Sequence, residues 1–248
     1  MKTTTMTVAA AGFSLLMAIP AQAAEITVLA STAVRTSLEQ LAPQFEKATG
    51  NKVVMTYGPT TVLKEKIDQG AAFDVAILTT PVADSLATAG KLDMARTPVA
   101  HSGIGVAIHK GSAKPDVSTS DAFKQTLLNA HSIGYTAGGA TGPYLLSLFE
   151  KLGIADTLKP KLKLLKGGVG EAVTTGEVEM GMTQISEILP HPGAELAGPL
   201  PAELQSFTYF AAAVSANSKN ADVAKAFSKS LSGPDAATVI KAKGMEPG

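Results

Sequence analysis

Four short stretches of the chain share one arrangement: an apolar run ends, small residues follow, and a helical pattern starts at once. They are ASTAVR (Ala30–Arg35), YGPTTV (Tyr57–Val62), GGATGPY (Gly138–Tyr144) and KGGVGEA (Lys166–Ala172). Each helix start leaves backbone N–H groups without an intrahelical partner and carries the positive end of the helix dipole. Glycines and small side chains let a ligand come close to that backbone. Ser31, Thr32, Thr60 and Thr61 add hydroxyl donors. The chemistry this suits is capture of an anion. Serine and threonine near a helix start also act as plain caps, and glycine-rich turns are also ordinary loops. It is the fourfold occurrence that favours a binding cleft. GGATG has neither the P-loop spacing nor G-x-G-x-x-G, so a nucleotide is not indicated.

Arg35 adds charge to the first of these turns. The chain holds only two arginines, Arg35 and Arg96. In the first turn of a helix the dipole repels a cation, so Arg35 suits its own helix poorly. The position makes sense if the guanidinium forks onto a carboxylate or oxyanion. The alternative is an exposed arginine paired with Glu39 one turn later.

Other chemistries have less to stand on. His101, His109, His131 and His191 form no H-x-x-H or H-E-x-x-H pair, and the chain has no cysteine. No metal and no cofactor is therefore expected. His101 and His109 flank one apolar run and are expected at its two ends, while His191 in LPHPG reads as an exposed turn. There is no G-x-S-x-G nucleophile elbow. Tyr144 suits either a cleft wall or helix packing. Basic and acidic side chains number 21 each, without a basic run, which argues against nucleic acid. Aromatic residues make up 5% of the chain and tryptophan is absent, which lowers the case for a sugar.

The elements that must hold these turns follow from the apolar pattern. ITVLA, KVVMTY and DVAIL read as strands, each followed by a helix: TSLEQLAPQFEKATG, TTVLKEKIDQG and TPVADSLATAG. GIGVAIHKG, HSIGYT, EMGMTQI and SFTYFAAAVSANS are further strands. PYLLSLFEKLG, NADVAKAFSKSLSG and a segment from Pro234 are further helices. Such alternation predicts α/β architecture with parallel sheets flanked by helices. Ligands in such sheets gather at the carboxyl ends of the strands. The order fits two α/β lobes joined by extended crossings, with residues 24–100 and 216–248 in lobe 1 and 101–215 in lobe 2.

Residues 1–23 read as a secretory signal peptide: Lys2, a short apolar run, then Ala21-Gln22-Ala23. The apolar run is shorter than the roughly 20 residues a bilayer span needs, so no stable membrane insertion is expected. Removing those 23 residues from 248 leaves 225, with 20 basic and 21 acidic side chains and a formal charge of −1.

The ordered segments ITVLAS…LEQLAPQFEKATG, VLKEKIDQGAAFDVAILT, GPYLLSLFEKLGIADTL, VEMGMTQISE and AFSKSLSGPDAATVIKAKG resemble the periplasmic molybdate-binding proteins of ABC importers. The resemblance runs through the whole chain after residue 23. It implies a two-lobed type II periplasmic-binding-protein fold with the ligand in the cleft between the lobes, a periplasmic location, an ABC permease as partner, and a monomer. The serine that this family offers at the first turn is Ala33 here, with Ser31 and Thr32 just before it. A second serine corresponds to Thr60, and the family's tyrosine to Gln184. Backbone donors of the third and fourth turns fall near Thr141 and Val169. With their neighbours, the candidate ligand-binding set is Ser31, Thr32, Arg35, Thr60, Thr61 and Thr80 from the first lobe. Thr141, Gly142, Val169, Gly170 and Gln184 come from the second.

Losing a hydroxyl while gaining Arg35 suits a carboxylate better than a tetrahedral dianion. The chain is also similar to bacterial aconitate isomerases, periplasmic enzymes that share the same fold. The leading expectation is a binding protein that delivers a small anion, organic carboxylate or oxyanion, to an importer. A rival is an isomerase of a small polycarboxylate such as aconitate. Arg35 and Lys64 would then clamp carboxylates while a threonine, Tyr135 or Glu187 lies near the reacting carbons. Molybdate or tungstate binding is a third reading, since Thr60 and both backbone turns are retained.

Overall fold

The computed structural model describes residues 23–137 and 141–248. The segment read as a signal peptide lies outside them up to residue 22, as do Gly138, Gly139 and Ala140 of the third turn. The order is β1 (Glu25–Ser31), a 3-10 turn (Thr32–Val34), α1 (Arg35–Thr49), β2 (Lys52–Gly58), α2 (Thr60–Asp68), β3 (Val75–Thr79), α3 (Thr80–Thr88) and the long β4 (Leu92–His109). Next come α4 (Ser120–Asn129), β5 (Ile133–Tyr135), α5 (Thr141–Lys151), α6 (Ala155–Leu158), β6 (Leu162–Leu164), α7 (Val169–Thr174), β7 (Met180–Gln184) and α8 (Ile185–Ile188). The chain closes with β8 (Ala194–Pro199), β9 (Phe207–Ser215), α9 (Ala221–Ser230), α10 (Pro234–Ala242) and β10 (Glu246–Pro247).

The helices form where apolar residues recur every three or four positions. In α1 these are Leu38, Leu41, Ala42 and Phe45, all buried. The helix stops at Gly50, whose φ of 76° a residue with a Cβ would adopt only with strain. Phe45 then meets Phe227 of α9 edge-on, with ring centroids 5.2 Å apart.

Strands pair in the order β2-β1-β3-β9-β4-β7-β5-β6, with β8 and β10 also on β4. The two halves of β4 have different partners. Leu92–Gly103 pairs with β9, whereas Ile104–Ile108 pairs with β7 and Gly105–His109 with β8. One uninterrupted strand therefore runs from one lobe into the other. Val75–Thr79 of β3 pairs antiparallel with Phe210–Val214, so β9 joins the first sheet, although the sequence boundaries put 207–215 with lobe 2. His101 accordingly lies within β4 rather than at a strand end, while His109 is its last residue.

Each lobe buries its own core. In the first, α1, α9 and α10 cover one face of the sheet around Ile26, Val28, Leu38, Phe210 and Phe227. On the other face α2 and α3 pack around Leu29, Leu63, Leu78 and Leu86. The second lobe gathers Ile104, Phe123, Leu145, Phe149 and Met182. The side chain of Gln205 ties the crossings: its Oε1 accepts from Ile104 N–H at 2.7 Å and its Nε2 donates to Ile104 C=O at 2.9 Å. Because the cores are separate, the lobes can shift relative to each other without opening either. Among the described residues no helix is long and apolar enough to cross a membrane.

Candidate functional site

Register brings the first-lobe turns together. Ser31 at the end of β1 sits opposite Gly58 of parallel β2, two residues before Thr60 opens α2. β3 lies on the other side of β1, and Thr80 opens α3 at its end. In the second lobe the ends of β7, β5 and β6 are likewise adjacent and parallel, carrying the starts of α8, α5 and α7 to one edge. The two edges meet. The 3-10 turn Thr32–Val34 packs against α8, and Gly244 beyond α10 lies against Leu189 and Ile185.

These helix starts are not closed by caps. Ser31 before the 3-10 turn, Pro59 before α2, Thr79 before α3, Gly168 before α7 and Gln184 before α8 make no side-chain cap hydrogen bond. The Thr119 hydroxyl before α4 accepts from Ala122 N–H, while Asn220 before α9 and Gly233 before α10 likewise make no such bond, so the open starts matter here for where they gather. Several buried polar atoms near the starts of α1, α2 and α8 have no hydrogen-bond partner among the described residues: Thr36 Oγ1, Ser37 Oγ, Thr60 Oγ1, Gln184 Oε1 and Ser186 Oγ. Thr60 and Gln184 are each only 5% exposed. A buried unpaired polar atom costs about 1–3 kcal/mol, so a cluster of them asks for a partner.

Candidate residues fare unequally. Ser31, Thr141, Val169 and Gly170 are buried at their turns, while Thr32 and Thr61 are exposed. Gly142 lies so close to the Thr136 carbonyl that a Cβ there would overlap the oxygen, and a Cβ at Gly170 would overlap the His191 ring. His191 is thus half-buried against α7 rather than in an exposed turn. Thr80 donates its hydroxyl to the Tyr209 carbonyl at 3.3 Å, tying α3 to β9. Lys64 pairs with Asp68 at 2.5 Å, which removes it as a clamp in this conformation. Tyr144 donates to the Leu204 carbonyl at 2.7 Å, a packing role. Arg96 is paired with Asp84.

Arg35 is the first residue of α1, exposed, with its guanidinium carbon 4.6 Å from the centroid of the Tyr57 ring. Burial pushes the Tyr57 phenol up to about 12; Glu39 adds to the rise and Arg35 opposes it. Across the cleft edge, burial raises the Glu187 carboxyl above the usual carboxylate range. The Thr183 hydroxyl at 2.5 Å, the Gln184 N–H and His191 pull it back without cancelling the effect.

Thr36, Ser37 and Ser186 are not among the residues the sequence pattern singles out. The 3-10 turn moves the start of α1 to Arg35, so Thr36 and Ser37 occupy its first turn. Their place at the head of TSLEQLAPQFEKATG, directly after the first turn, is the signal that would have found Thr36 and Ser37.

Comparison with known proteins agrees with this architecture. A family model described as bacterial extracellular solute-binding protein matches residues 26–246. An aconitate isomerase from a Pseudomonas species is 31% identical over 250 residues, covering 96% of this chain and 95% of that protein. The molybdate-binding protein ModA of Azotobacter vinelandii is 32% identical over 242 residues, covering 92% of each. The solved periplasmic molybdate-binding protein of Azotobacter vinelandii superposes with a TM-score of 0.74 at 23% identity, covering 89% of this chain and 98% of that one. The match is to a two-lobed structure.

Proposed function

Because the chain belongs to the bacterial extracellular solute-binding protein family, and is a solute-binding protein of the molybdate-binding type, we propose that it captures a small organic anion between its lobes. The anion carries carboxylates, and the protein hands it to an ABC importer from the periplasm after export by a signal peptide spanning residues 1–23. The observation that carries this reading is Thr60 Oγ1: buried, unpartnered among the described residues, and at the uncapped start of a nine-residue helix whose dipole favours negative charge. Arg35 lies at a neighbouring turn as a cation able to fork onto a carboxylate, whereas Arg96 is paired with Asp84. A tetrahedral dianion held by neutral donors would have no need of it. The test is a thermal-shift series with citrate, trans-aconitate, sulfate, molybdate and tungstate, because a ligand that binds only the native state raises its stability by mass action. Carboxylates are expected to raise the midpoint most. A rise with molybdate or tungstate alone would assign the cleft to those ions and discard the role of Arg35.

A second reading has its own support: the 31% identity to an aconitate isomerase extends over 96% of the chain. Moving a double bond within aconitate requires a group that takes a proton from one carbon and returns it to another. Glu187, whose carboxylate burial makes a stronger base than an exposed one, is the candidate from the second lobe. Proton NMR of cis-aconitate incubated with the protein reads turnover directly. An isomer ratio that stays fixed at high protein concentration removes this reading.

A further inference from the structure

The short helix α8 and Leu189 just after it reach from the second lobe to the first. α8 packs against the 3-10 turn Thr32–Val34, and Ile185 and Leu189 lie against Gly244, two residues past α10. A Cβ on Gly244 would come within 2.5 Å of Leu189 Cδ1 and 3.1 Å of Ile185 Cγ2, so the glycine is a notch that receives the leucine tip. Both sides of this contact are fixed in their own lobes. In the second, Ile185 turns its Cγ1 toward Gly105 of β4, where a Cβ would lie 2.9 Å away, and Ile188 is fully buried. In the first, Gly244 N–H donates to Lys241 C=O at 3.0 Å, Met245 joins the core and Glu246 pairs with His101 of β4. A contact between two anchored sides breaks only when the lobes shift as bodies. Leu189 is still 49% exposed, so the contact is small enough to open and form again.

We propose that Leu189 and Gly244 form a latch between the lobes that sets how fast an anion enters and leaves the cleft, rather than how tightly it is held. The proposal rests on the anion-cleft reading above and adds to it the contact that governs exchange. Neither Leu189, Ile185 nor Gly244 belongs to the candidate donor set, so their contact favours closure alike with the cleft empty or loaded. A contribution equal in both states cancels from the binding equilibrium. It does not cancel from the rates, because an anion passes only while the lobes are parted.

Stopped-flow mixing with trans-aconitate and, separately, with molybdate reads both rates through the tyrosine fluorescence of a chain without tryptophan. Leu189→Ala is expected to speed association and dissociation alike, by about three- to tenfold, the scale of a partly buried leucine contact, with Kd within about twofold of the wild type. Leu189→Met keeps a long apolar side chain and should stay close to the wild type. Gly244→Ala drives a methyl into Leu189 from the other lobe and should also speed both rates. It is the second probe if Leu189→Ala does not fold, which thermal midpoints report. Small-angle scattering without added anion should give Leu189→Ala a larger radius of gyration than the wild type. Unchanged rates in both alanine variants, or faster dissociation alone with weaker binding, would overturn the latch and leave anion capture standing. If neither anion binds, anion capture falls and the scattering decides the latch: a larger radius supports it, and equal radii overturn it.

Discussion

The guanidinium carbon of Arg35 stands 4.6 Å from the centre of the Tyr57 ring, so the cation is held against the end of β2. Among the described residues no ion pair joins it to Glu39. Of the two sequence-based readings, the Glu39 pair is therefore not formed, and the guanidinium edge is open to a ligand. Arg35→Ala is expected to weaken carboxylate binding by about 1.5–3 kcal/mol, the scale of a charge-assisted hydrogen bond. Calorimetry with trans-aconitate or citrate measures it. Unchanged affinity would reduce Arg35 to a surface residue stacked on a tyrosine.

Thr60 provides a sharper test, because its hydroxyl has no partner among the described residues. Thr60→Val keeps the shape and removes an unsatisfied polar atom. The empty protein should be as stable as the wild type or more so, by up to about 1 kcal/mol, while anion affinity drops by about 1–2 kcal/mol. Chemical denaturation and titration give the two numbers separately. A variant that loses stability and keeps its affinity would show that the hydroxyl serves the fold.

Glu187 predicts a pH dependence of definite sign. Its folded pKa is raised by burial above the ordinary 4.5, so within that window the folded chain holds more protons than the unfolded chain. Its contribution to stability is then fullest at low pH and declines as the pH rises from the ordinary value through the raised one. Glu187→Gln should lose this decline and be at least as stable as the wild type at neutral pH. Urea unfolding of both proteins from about pH 4 to 7 checks the sign. Parallel profiles would mean that the carboxyl is not desolvated.

The staple from Gln205 to both backbone groups of Ile104 lies where the chain crosses between lobes. Gln205→Ala leaves that crossing less constrained and is expected to cost about 1–3 kcal/mol of stability. Denaturant melts read this cost, and a neutral variant would show that water replaces the amide fully.

Much of the architecture was legible because local signals agreed with tertiary demand. Four of the five residues of ITVLA are apolar since β1 is covered on both faces, and Gly50 ends α1 where a positive φ is needed. The first half of β4 was hidden. Its pairing with β9 shifts register between Leu92 and Arg96 and again between Pro98 and Ala100, so alternation is broken and a proline sits inside a strand. A proline-rich stretch likewise concealed β8. The pairing of β9 with β3 was out of reach of local pattern, because the two strands are far apart in sequence. At the site, Thr60 stood out by type and position. The ring cluster of His101, Phe207 and Tyr209, on the crossing strands, did not: β4 and β9 are far apart along the chain and bring these rings together only through strand pairing.

The claim that donors from both lobes converge on one anion is tested most directly by amide chemical-shift mapping of the isotopically labelled protein titrated with trans-aconitate. Thr60 and Thr61 at the start of α2 and Thr141 and Gly142 at the start of α5 should shift together, along one binding curve. Shifts confined to one lobe, or scattered over the outer surfaces, would contradict it.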